Sequence, residues 1–243
     1  RANKALYDLT TLFGTPCISG KDSMKNDYMH QDIKISVPQT VLISAISVIK
    51  DVEQTVSIDF KQGGDAVIVI GMTYAELGGS EYFGLNGLNG NIPPRVDSVK
   101  AKRTYRSLEK AIRSGIIHSC HDISDGGLAV TLAESAFAGG TGVEIDLPAV
   151  PTKGIYRDDF VLFSESQSRF IVTVDPADVD RLKAFFTVTP VAVIGTVRRD
   201  KRFMVSGRNG RLVIDSNIDT LKEVWKSPFK KHCFIFSKSS MQS

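Results

Sequence analysis

The sequence predicts an α+β fold built around one mixed β-sheet. Short apolar runs typical of strands, as at 66–71 and 191–197, are interleaved with runs of helical periodicity such as 97–114. Two further short apolar runs flank residues 207–210 in the pattern of a hairpin. A hairpin requires antiparallel pairing, whereas strands joined through helices favour parallel pairing, so the sheet should contain both senses.

The other elements of this fold follow from the same two periodicities. Strands are predicted at 56–60, 115–117, 143–147 and 169–174, and helices at 128–138, 158–163, 176–186 and 219–225. Asp175 is positioned to cap the helix at 176–186, and residues 164–168 form a polar turn. In the helix at 97–114 the predicted buried face consists of Val99, Tyr105, Leu108, Ala111 and Ile112, with a solvated basic face opposite.

The N-terminal region has its own character. Residues 5–13 have helical spacing but begin without a cap, which suggests a fragment whose preceding segment is missing. Residues 40–50 are apolar and rich in β-branched side chains, and this predicts a strand buried on both faces. Such a strand needs a covering layer, so self-association of the fragment is expected.

Composition excludes several classes of protein. The 243 residues are 42% hydrophobic and 23% charged, which allows one or two domains with a substantial core. A net charge of only +3 disfavours a nucleic-acid binder, and no apolar run approaches the roughly 18 residues of a membrane span. The three cysteines are far apart and form no CxxC pair, so a cytoplasmic location is expected.

The chemistry of the chain is concentrated between a predicted strand and the helix at 128–138. The segment reads His121-Asp122-Ile123-Ser124-Asp125-Gly126-Gly127. The glycines let the backbone turn sharply and approach a ligand, and the unpaired N–H groups of a helix start favour an anion. Two carboxylates would repel a bare phosphate, but a divalent cation held by them would bind it.

A simpler interpretation remains open for the same segment. Asp125 or Ser124 could cap the helix, and Asp122 could be a solvated loop residue. The polar members of the following helix are Thr131, Glu134 and Ser135, and its other faces are apolar. Most of this helix should therefore be buried, and a buried helix holds its N-terminus rigidly, as a metal–phosphate site requires.

Two glycine-containing segments are weaker candidates. Gly20-Lys21-Asp22-Ser23 offers a cation and oxygen donors but lacks the upstream glycine and the length of a P-loop, so it is either a phosphate contact through Lys21 and Ser23 or an ordinary polar turn. Residues 76–92 are glycine-rich, and such a long loop is either functional or a flexible surface excursion.

Ordered motifs resemble the aminoimidazole ribonucleotide (AIR) synthetase superfamily. Its C-terminal domain is matched by the segment 121–128 followed by Thr131-Leu132-Ala133-Glu134, by Leu77-Gly78-Gly79-Ser80-Glu81-Tyr82, and by Phe163-Ser164-Glu165-Ser166. Gly20-Lys21-Asp22-Ser23-Met24 is similar to the second half of the large, multidomain phosphoribosylformylglycinamidine synthases of purine biosynthesis. The resemblance divides the chain into the end of an N-terminal-type domain (1–60), a C-terminal-type domain (61–215), and a terminal helix with a flexible tail (216–243).

The resemblance implies part of a carbon–nitrogen ligase. In that family ATP activates the amide of formylglycinamide ribonucleotide, and ammonia released from glutamine by a glutaminase domain displaces the phosphate. By resemblance Asp122 is a Mg²⁺ ligand and Ser124 contacts the nucleotide, ATP or ADP, with Gly126, Gly127, Lys21 and Ser23 as further candidate contacts. No catalytic residue can be carried over. The expected partners are the N-terminal and glutaminase domains of the parent chain.

Two alternatives accompany this hypothesis. The second half of the large family members resembles a duplicated site that holds a nucleotide structurally, so the chain could be a non-catalytic ADP-binding scaffold. It could also belong to another superfamily member, such as the cyclo-ligase or selenophosphate synthetase.

Overall fold

The computed structural model describes residues 2–21, 27–37 and 40–238, and its contacts divide the chain into two units. The first unit is Arg1–Val52 and the second is Glu53–Ser243.

The first unit contains helix α1 (Ala2–Phe13) and an antiparallel hairpin of strands β1 (Asp27–His30) and β2 (Ile33–Ser36). The helix confirms the prediction at 5–13. The predicted buried strand at 40–50 is wrong, because these residues have no regular secondary structure and Leu42 and Val48 are 90% and 91% exposed. A strand forms only where a neighbouring strand completes its hydrogen bonds, and no strand within the described residues pairs with this segment.

The second unit contains the main sheet and its helices. In chain order its elements are β3 (Ala66–Ile70), β4 (Thr73–Tyr74), α2 (Glu81–Leu85), α3 (Ser98–Arg113), β5 (Ser119–Asp122), α4 (Gly127–Gly139), β6 (Val143–Asp146), β7 (Thr152–Lys153), α5 (Asp158–Phe163), β8 (Phe170–Val174), α6 (Val179–Lys183), β9 (Val191–Val197), β10 (Arg202–Ser206), β11 (Leu212–Asn217) and α7 (Ile218–Lys238). Short 3-10 helices lie at Leu147–Ala149 and Pro176–Asp178, and a further one at Val52–Gln54 begins at the last residue of the first unit.

Seven of these strands form one mixed sheet in the order β11-β10-β6-β9-β3-β8-β5. The pair β6–β10 is parallel, and every other neighbouring pair in this sheet is antiparallel. The hairpin β10–β11 and the helix α5 lie where the sequence predicts them, and Asp175 caps the 3-10 turn before α6 by accepting the Ala177 N–H at 2.9 Å. The prediction of an α+β fold with a mixed sheet is confirmed.

The sequence of the central strand β3 is apolar throughout because its residues contribute to two hydrophobic clusters. Val67 and Val69 belong to a cluster formed with α4, α5 and the start of α7, whereas Ile68 and Ile70 belong to a second cluster formed with α3 and α6. Successive strand residues point to opposite faces of a sheet, so a strand covered on both faces must be apolar throughout.

One predicted strand lies at a different position, and another does not form. The strand expected at 115–117 lies at Ser119–Asp122, where it pairs with β8 from Ser119↔Thr173 to Asp122↔Phe170. The register is fixed by the partner strand rather than by the local apolar run, so Asp122 ends the strand instead of lying in a loop. Residues 56–60 form no strand, although the Ser57 carbonyl accepts the Cys120 N–H at 3.1 Å.

Helix α3 is also rotated relative to the prediction. Its buried residues are Ala101, Thr104, Leu108 and Ala111, whereas Val99 is 51% exposed. Leu108 and Ala111 pack in the cluster that contains Ile68 and Ile70 of β3, whereas Val99 lies outside it. Helix α7 is longer than the predicted 219–225 and contains Pro228.

Candidate functional site

The predicted site lies where β5 ends and α4 begins. Residues 122–125, named here the outer segment, present three exposed oxygen-bearing side chains, those of Asp122, Ser124 and Asp125. Ile123 between them is buried, and its N–H donates to the Arg169 carbonyl at 2.9 Å. One inward apolar residue thus holds the segment to the sheet while its polar neighbours face solvent.

Two glycines with positive φ connect the outer segment to the helix. Gly126 (φ 76°) precedes α4 and Gly127 (φ 67°) begins it. A Cβ atom on Gly127 would lie 2.6 Å from the Ser164 carbonyl oxygen and 2.8 Å from that of Leu162. Packing on this backbone is a reason for glycine that needs no ligand. Contact of either glycine with a nucleotide stays a prediction.

The alternative that a side chain of the outer segment caps α4 is wrong. The N-cap position is Gly126, and no side chain makes a capping hydrogen bond there. The Gly127 N–H instead donates to the backbone carbonyl of Ser124 at 3.0 Å. The side chains of Asp122, Ser124 and Asp125 are therefore not used to begin the helix.

The buried carboxylate of Glu165 lies at the start of α4, where the sequence predicts a bound anion. Glu165, only 8% exposed, accepts the Gly126 N–H at 2.9 Å through Oε1. The same oxygen accepts the N–H of Glu81, the first residue of α2, at 3.1 Å. Glu165 satisfies backbone donors at two helix starts, where negative charge is favourable.

Glu165 belongs to residues 164–169, named here the inner turn, which sequence analysis treated as a simple polar turn. Ser164, Glu165, Ser166 and Arg169 are all buried. The Ser164 hydroxyl donates to the Tyr74 carbonyl at 2.5 Å and accepts the Glu76 N–H at 3.3 Å. Its match to the superfamily motif was the available signal that this turn has a specific role.

Arg169 holds the inner turn from within. Its guanidinium, 1% exposed, donates to the carbonyls of Ser166 at 2.8 Å and Ser164 at 2.6 Å, and to the Thr73 hydroxyl at 2.8 Å. Burial lowers the pKa of Arg169 to about 10, and the charge of nearby Glu76 opposes this fall. The side chain therefore stays cationic at neutral pH.

Glu76 is a second buried acid that the sequence analysis did not single out. It is 8% exposed, and its Oε1 accepts the Arg95 N–H at 3.2 Å. Its Oε2 is buried without a hydrogen-bond partner. The proximity of Arg169 supplies the compensating positive charge.

Polar contacts connect His121 of β5 with the helices α4 and α7. His121 Nε2 lies 3.1 Å from Glu134 Oε2 on α4, and Trp225 on α7 donates to Glu134 Oε1 at 3.2 Å. His121 Nδ1 lies 3.4 Å from Asp122 Oδ1 without a hydrogen bond. Burial raises the pKa of the neighbouring Cys120 thiol to about 12, so this cysteine is a neutral packing residue rather than a nucleophile.

The glycine-rich segment 76–92 is held by hydrogen bonds and by a ring contact. Ser80 caps α2 by accepting the Phe83 N–H at 3.2 Å, and Gly78 donates to the Ile92 carbonyl at 2.9 Å. The Tyr82 ring stacks on Phe163 of α5 with centroids 4.6 Å apart. Residues 84–91 are exposed, although the Asn89 carbonyl accepts the Gly79 N–H at 2.7 Å, and a functional role for the segment stays a prediction.

The remaining predicted contacts belong to the first unit or outside the described residues. Lys21 is exposed and lies in the first unit, whereas Ser124, Gly126 and Gly127 lie in the second. Ser23 lies outside the described residues.

The donor chemistry at the outer segment suits a hard cation. Exposed carboxylate and hydroxyl oxygens are the ligands that Mg²⁺ accepts. Within residues 2–21, 27–37 and 40–238, no group of three or more His, Cys, Asp or Glu side chains is placed to hold a metal ion. Coordination of Mg²⁺ by Asp122 stays a prediction.

A match to a protein-family model shows which family the chain belongs to. The model described as "AIR synthase related protein, C-terminal domain" matches residues 62–207. The chain belongs to this family. The match contains the outer segment, the inner turn and the glycine-rich segment. In the part of the chain that the structure describes, no helix is both long and apolar enough to cross a membrane.

Curated relatives are much longer than this chain. The chain is 34% identical over 224 residues to "Phosphoribosylformylglycinamidine synthase subunit PurL" of Thermococcus sibiricus, an alignment that covers 92% of the chain and 30% of that relative. It is 36% identical over 221 residues to the subunit of the same name from Caldanaerobacter subterraneus, covering 90% and 29%. The chain therefore spans about 30% of the length of these relatives.

Solved structures share the fold. A structure described as T. maritima PurL complexed with FGAR has a TM-score of 0.61 and 20% identity, covering 70% of this chain and 30% of that one. The corresponding complex with ATP has a TM-score of 0.59 and 19% identity, covering 69% and 27%. At this level of identity the likeness shows the fold alone.

Proposed function

We propose that the chain is part of an ATP-dependent amidoligase that converts formylglycinamide ribonucleotide to formylglycinamidine ribonucleotide in purine biosynthesis. The family match and the PurL relatives support this proposal. Glutamine as the nitrogen source, a cytoplasmic location, and the N-terminal and glutaminase domains as partners belong to the same proposal.

Within that enzyme the second unit contributes to a Mg²⁺–nucleotide site at the outer segment. The observation that carries this is the exposure of the Asp122 and Ser124 oxygens where a buried helix begins, with the backbone behind them fixed by packing. Asp122 would hold the ion, and Ser124 would contact the phosphates of ATP or ADP. The bound cation would supply the positive charge that lets a polyphosphate approach the carboxylates.

The geometry also limits which groups act on the nucleotide. The Gly126 N–H is already bonded to Glu165, and the Gly127 N–H is bonded to the Ser124 carbonyl. The side-chain oxygens of the outer segment and a cation are therefore better placed to hold a phosphate than these two amides. Lys21 and Ser23 remain candidates on the first unit.

A second candidate function is a structural nucleotide site without chemistry. The observation that favours it is that the buried polar groups beside the outer segment bind the chain's own backbone, as Glu165 and Arg169 do. In this case the nucleotide would stabilise the fold and the reaction would occur elsewhere.

Substitutions in the full-length protein test both candidates. Asp122→Asn and Ser124→Ala are compared with Asp180→Asn, which removes an exposed carboxylate on α6, outside the outer segment, as a control. Calorimetry with Mg-ADP, thermal unfolding with and without Mg-ADP, and turnover with ATP, ammonia and formylglycinamide ribonucleotide are measured. A nucleotide at one hundred times its Kd stabilises the protein by about 2.7 kcal/mol, so its loss is measurable.

The outcomes separate the candidates. Weaker binding together with lost turnover supports a catalytic site, whereas lost nucleotide stabilisation with normal turnover supports the structural one. Unchanged Mg-ADP binding in Asp122→Asn and Ser124→Ala would reject the outer segment as a nucleotide site. Absence of amidation by the full-length wild type would reject the ligase proposal.

A further inference from the structure

One carboxylate oxygen connects two segments that are far apart in the sequence. Glu165 Oε1 accepts the N–H of Gly126, which precedes α4, and the N–H of Glu81, which begins α2. Hydrogen bonds to an ionised carboxylate are stronger than those between neutral groups, and both donors lie at the positive end of a helix. The 8% exposure of Glu165 protects these bonds from water.

The backbone of the inner turn fixes where this carboxylate points. The Glu165 N–H donates to the Glu76 carbonyl at 3.3 Å, and the Ser166 hydroxyl accepts the Tyr74 N–H at 3.0 Å. Arg169 bonds the carbonyls of Ser164 and Ser166 on either side. The backbone on both sides of Glu165 is thus held in place, and this sets the direction in which its side chain leaves the turn.

The two segments that meet at Glu165 have different surroundings. Helix α2 has another anchor on α5, where the Tyr82 hydroxyl donates to Asp159 at 2.8 Å. The start of α4 packs on the backbone at the end of α5, through Gly127. The Glu165 carboxylate joins the two segments directly, because it accepts a backbone N–H from each of them.

We propose that Glu165 is a positioning residue that locks the start of α2 to the start of α4, and so fixes the glycine-rich segment 76–92 relative to the outer segment. Its effect on nucleotide binding rests on the function proposed above for Asp122 and Ser124. The lock itself does not, because it depends only on hydrogen bonds within the second unit.

Hydrogen exchange in the nucleotide-free, full-length protein tests the lock directly. Glu165→Ala removes both hydrogen bonds. Amide hydrogen exchange should become about tenfold faster in two peptides, one covering residues 78–90 and the other covering residues 122–130. Glu165→Gln keeps an oxygen that accepts the same two N–H groups and should stay near the wild-type rate in both. Faster exchange in only one of the two peptides, or in neither, for Glu165→Ala overturns the proposal.

Tyr82→Phe is the matched control. It removes the bond to Asp159 on the other side of α2 and leaves Glu165 untouched. Exchange should change at most in 78–90, and a comparable change in 122–130 would show that the two segments are coupled without Glu165. If Glu165→Ala does not fold, Glu165→Asp replaces it. Its shorter side chain should speed exchange in both peptides by a smaller factor, and wild-type exchange in both would overturn the lock.

Nucleotide affinity provides the second measurement. The Kd for Mg-ADP should rise about tenfold in Glu165→Ala and remain within about threefold in Glu165→Gln. Asp122→Asn should weaken binding without altering exchange at 78–90. If the wild type binds no Mg-ADP, the proposed function fails while the exchange experiment still decides the lock. Wild-type affinity in a folded Glu165→Ala would remove Glu165 from the positioning of the site.

Discussion

The outer segment and the inner turn are both polar and both adjoin the start of α4, yet they are used in opposite ways. The outer segment exposes Asp122, Ser124 and Asp125, whereas the inner turn buries Glu165 and Arg169. Buried polar groups must be paired, and those of the inner turn bind the backbone around them. Side chains that the fold does not use are the ones left free to bind a ligand. The comparison predicts that stability resides in the inner turn and nucleotide affinity in the outer segment.

Arg169→Met should have the largest effect. It removes three buried hydrogen bonds and leaves Glu76 buried without its compensating charge. Each buried acceptor left without its donor costs about 1–3 kcal/mol, so the free energy of unfolding should fall by at least about 3 kcal/mol, which urea denaturation measures. Arg181→Met, at an exposed arginine, is the control and should change stability by less than about 1 kcal/mol.

A double substitution sharpens this prediction. Arg169→Met with Glu76→Gln removes both charges, so the double variant should be more stable than Arg169→Met alone. Additive effects would instead show that the two side chains do not interact.

Gly127→Ala should have the next largest effect, at the contact between the two segments. The new Cβ would press on the backbone of residues 162–164 in a conformation with positive φ, and we expect a loss of about 3 kcal/mol. Gly140→Ala is a matched control because its φ of 69° is similar and nothing lies within 4 Å of its Cβ position. It should cost only the backbone strain, about 1 kcal/mol. Equal losses in the two variants, measured by urea denaturation, would contradict the packing argument.

Asp122→Asn should change stability by less than about 0.5 kcal/mol in the absence of nucleotide, because the side chain is exposed and no hydrogen bond holds it to His121. The same variant should weaken Mg-ADP binding at least about tenfold by calorimetry, if the carboxylate holds the cation. Strong destabilisation without any change in affinity would reverse the assigned roles of the two segments.

Acid should have the smallest effect, through the second anchor of α2. Arg157 holds the pKa of Asp159 below its usual range, and Tyr82 donates to the same carboxylate. A lowered pKa in the folded state gives stability that is present above the ordinary aspartate pKa of about 4 and is lost as pH falls through the folded value. The Tm difference between wild type and Asp159→Asn should therefore shrink below about pH 4. A difference that stays constant from pH 6 to 3 would argue against this anchor.

The local pattern of apolar and polar residues predicted an element correctly where that element is specified by its own residues. The continuous apolar run of β3, the short α5 with its acidic first turn, and the buried α4 lie where their sequences indicate. Local pattern failed where a distant partner decides, as for β5, whose register is fixed by β8. It also failed at residues 40–50, whose β-branched sequence finds no pairing strand in the described chain.

By itself the sequence determined the fold class, the strand–glycine–helix junction, and the residue types that could hold a cation and a phosphate there. Hydrophobic periodicity and glycine placement act over a few residues, so they can be read along the chain. Only the tertiary structure decided which polar segment faces inward, because burial of Glu165 and Arg169 depends on the backbone N–H groups of Glu81 and Gly126 and on the Thr73 hydroxyl, which meet only after folding. The same packing left the Asp122 and Ser124 side chains facing solvent.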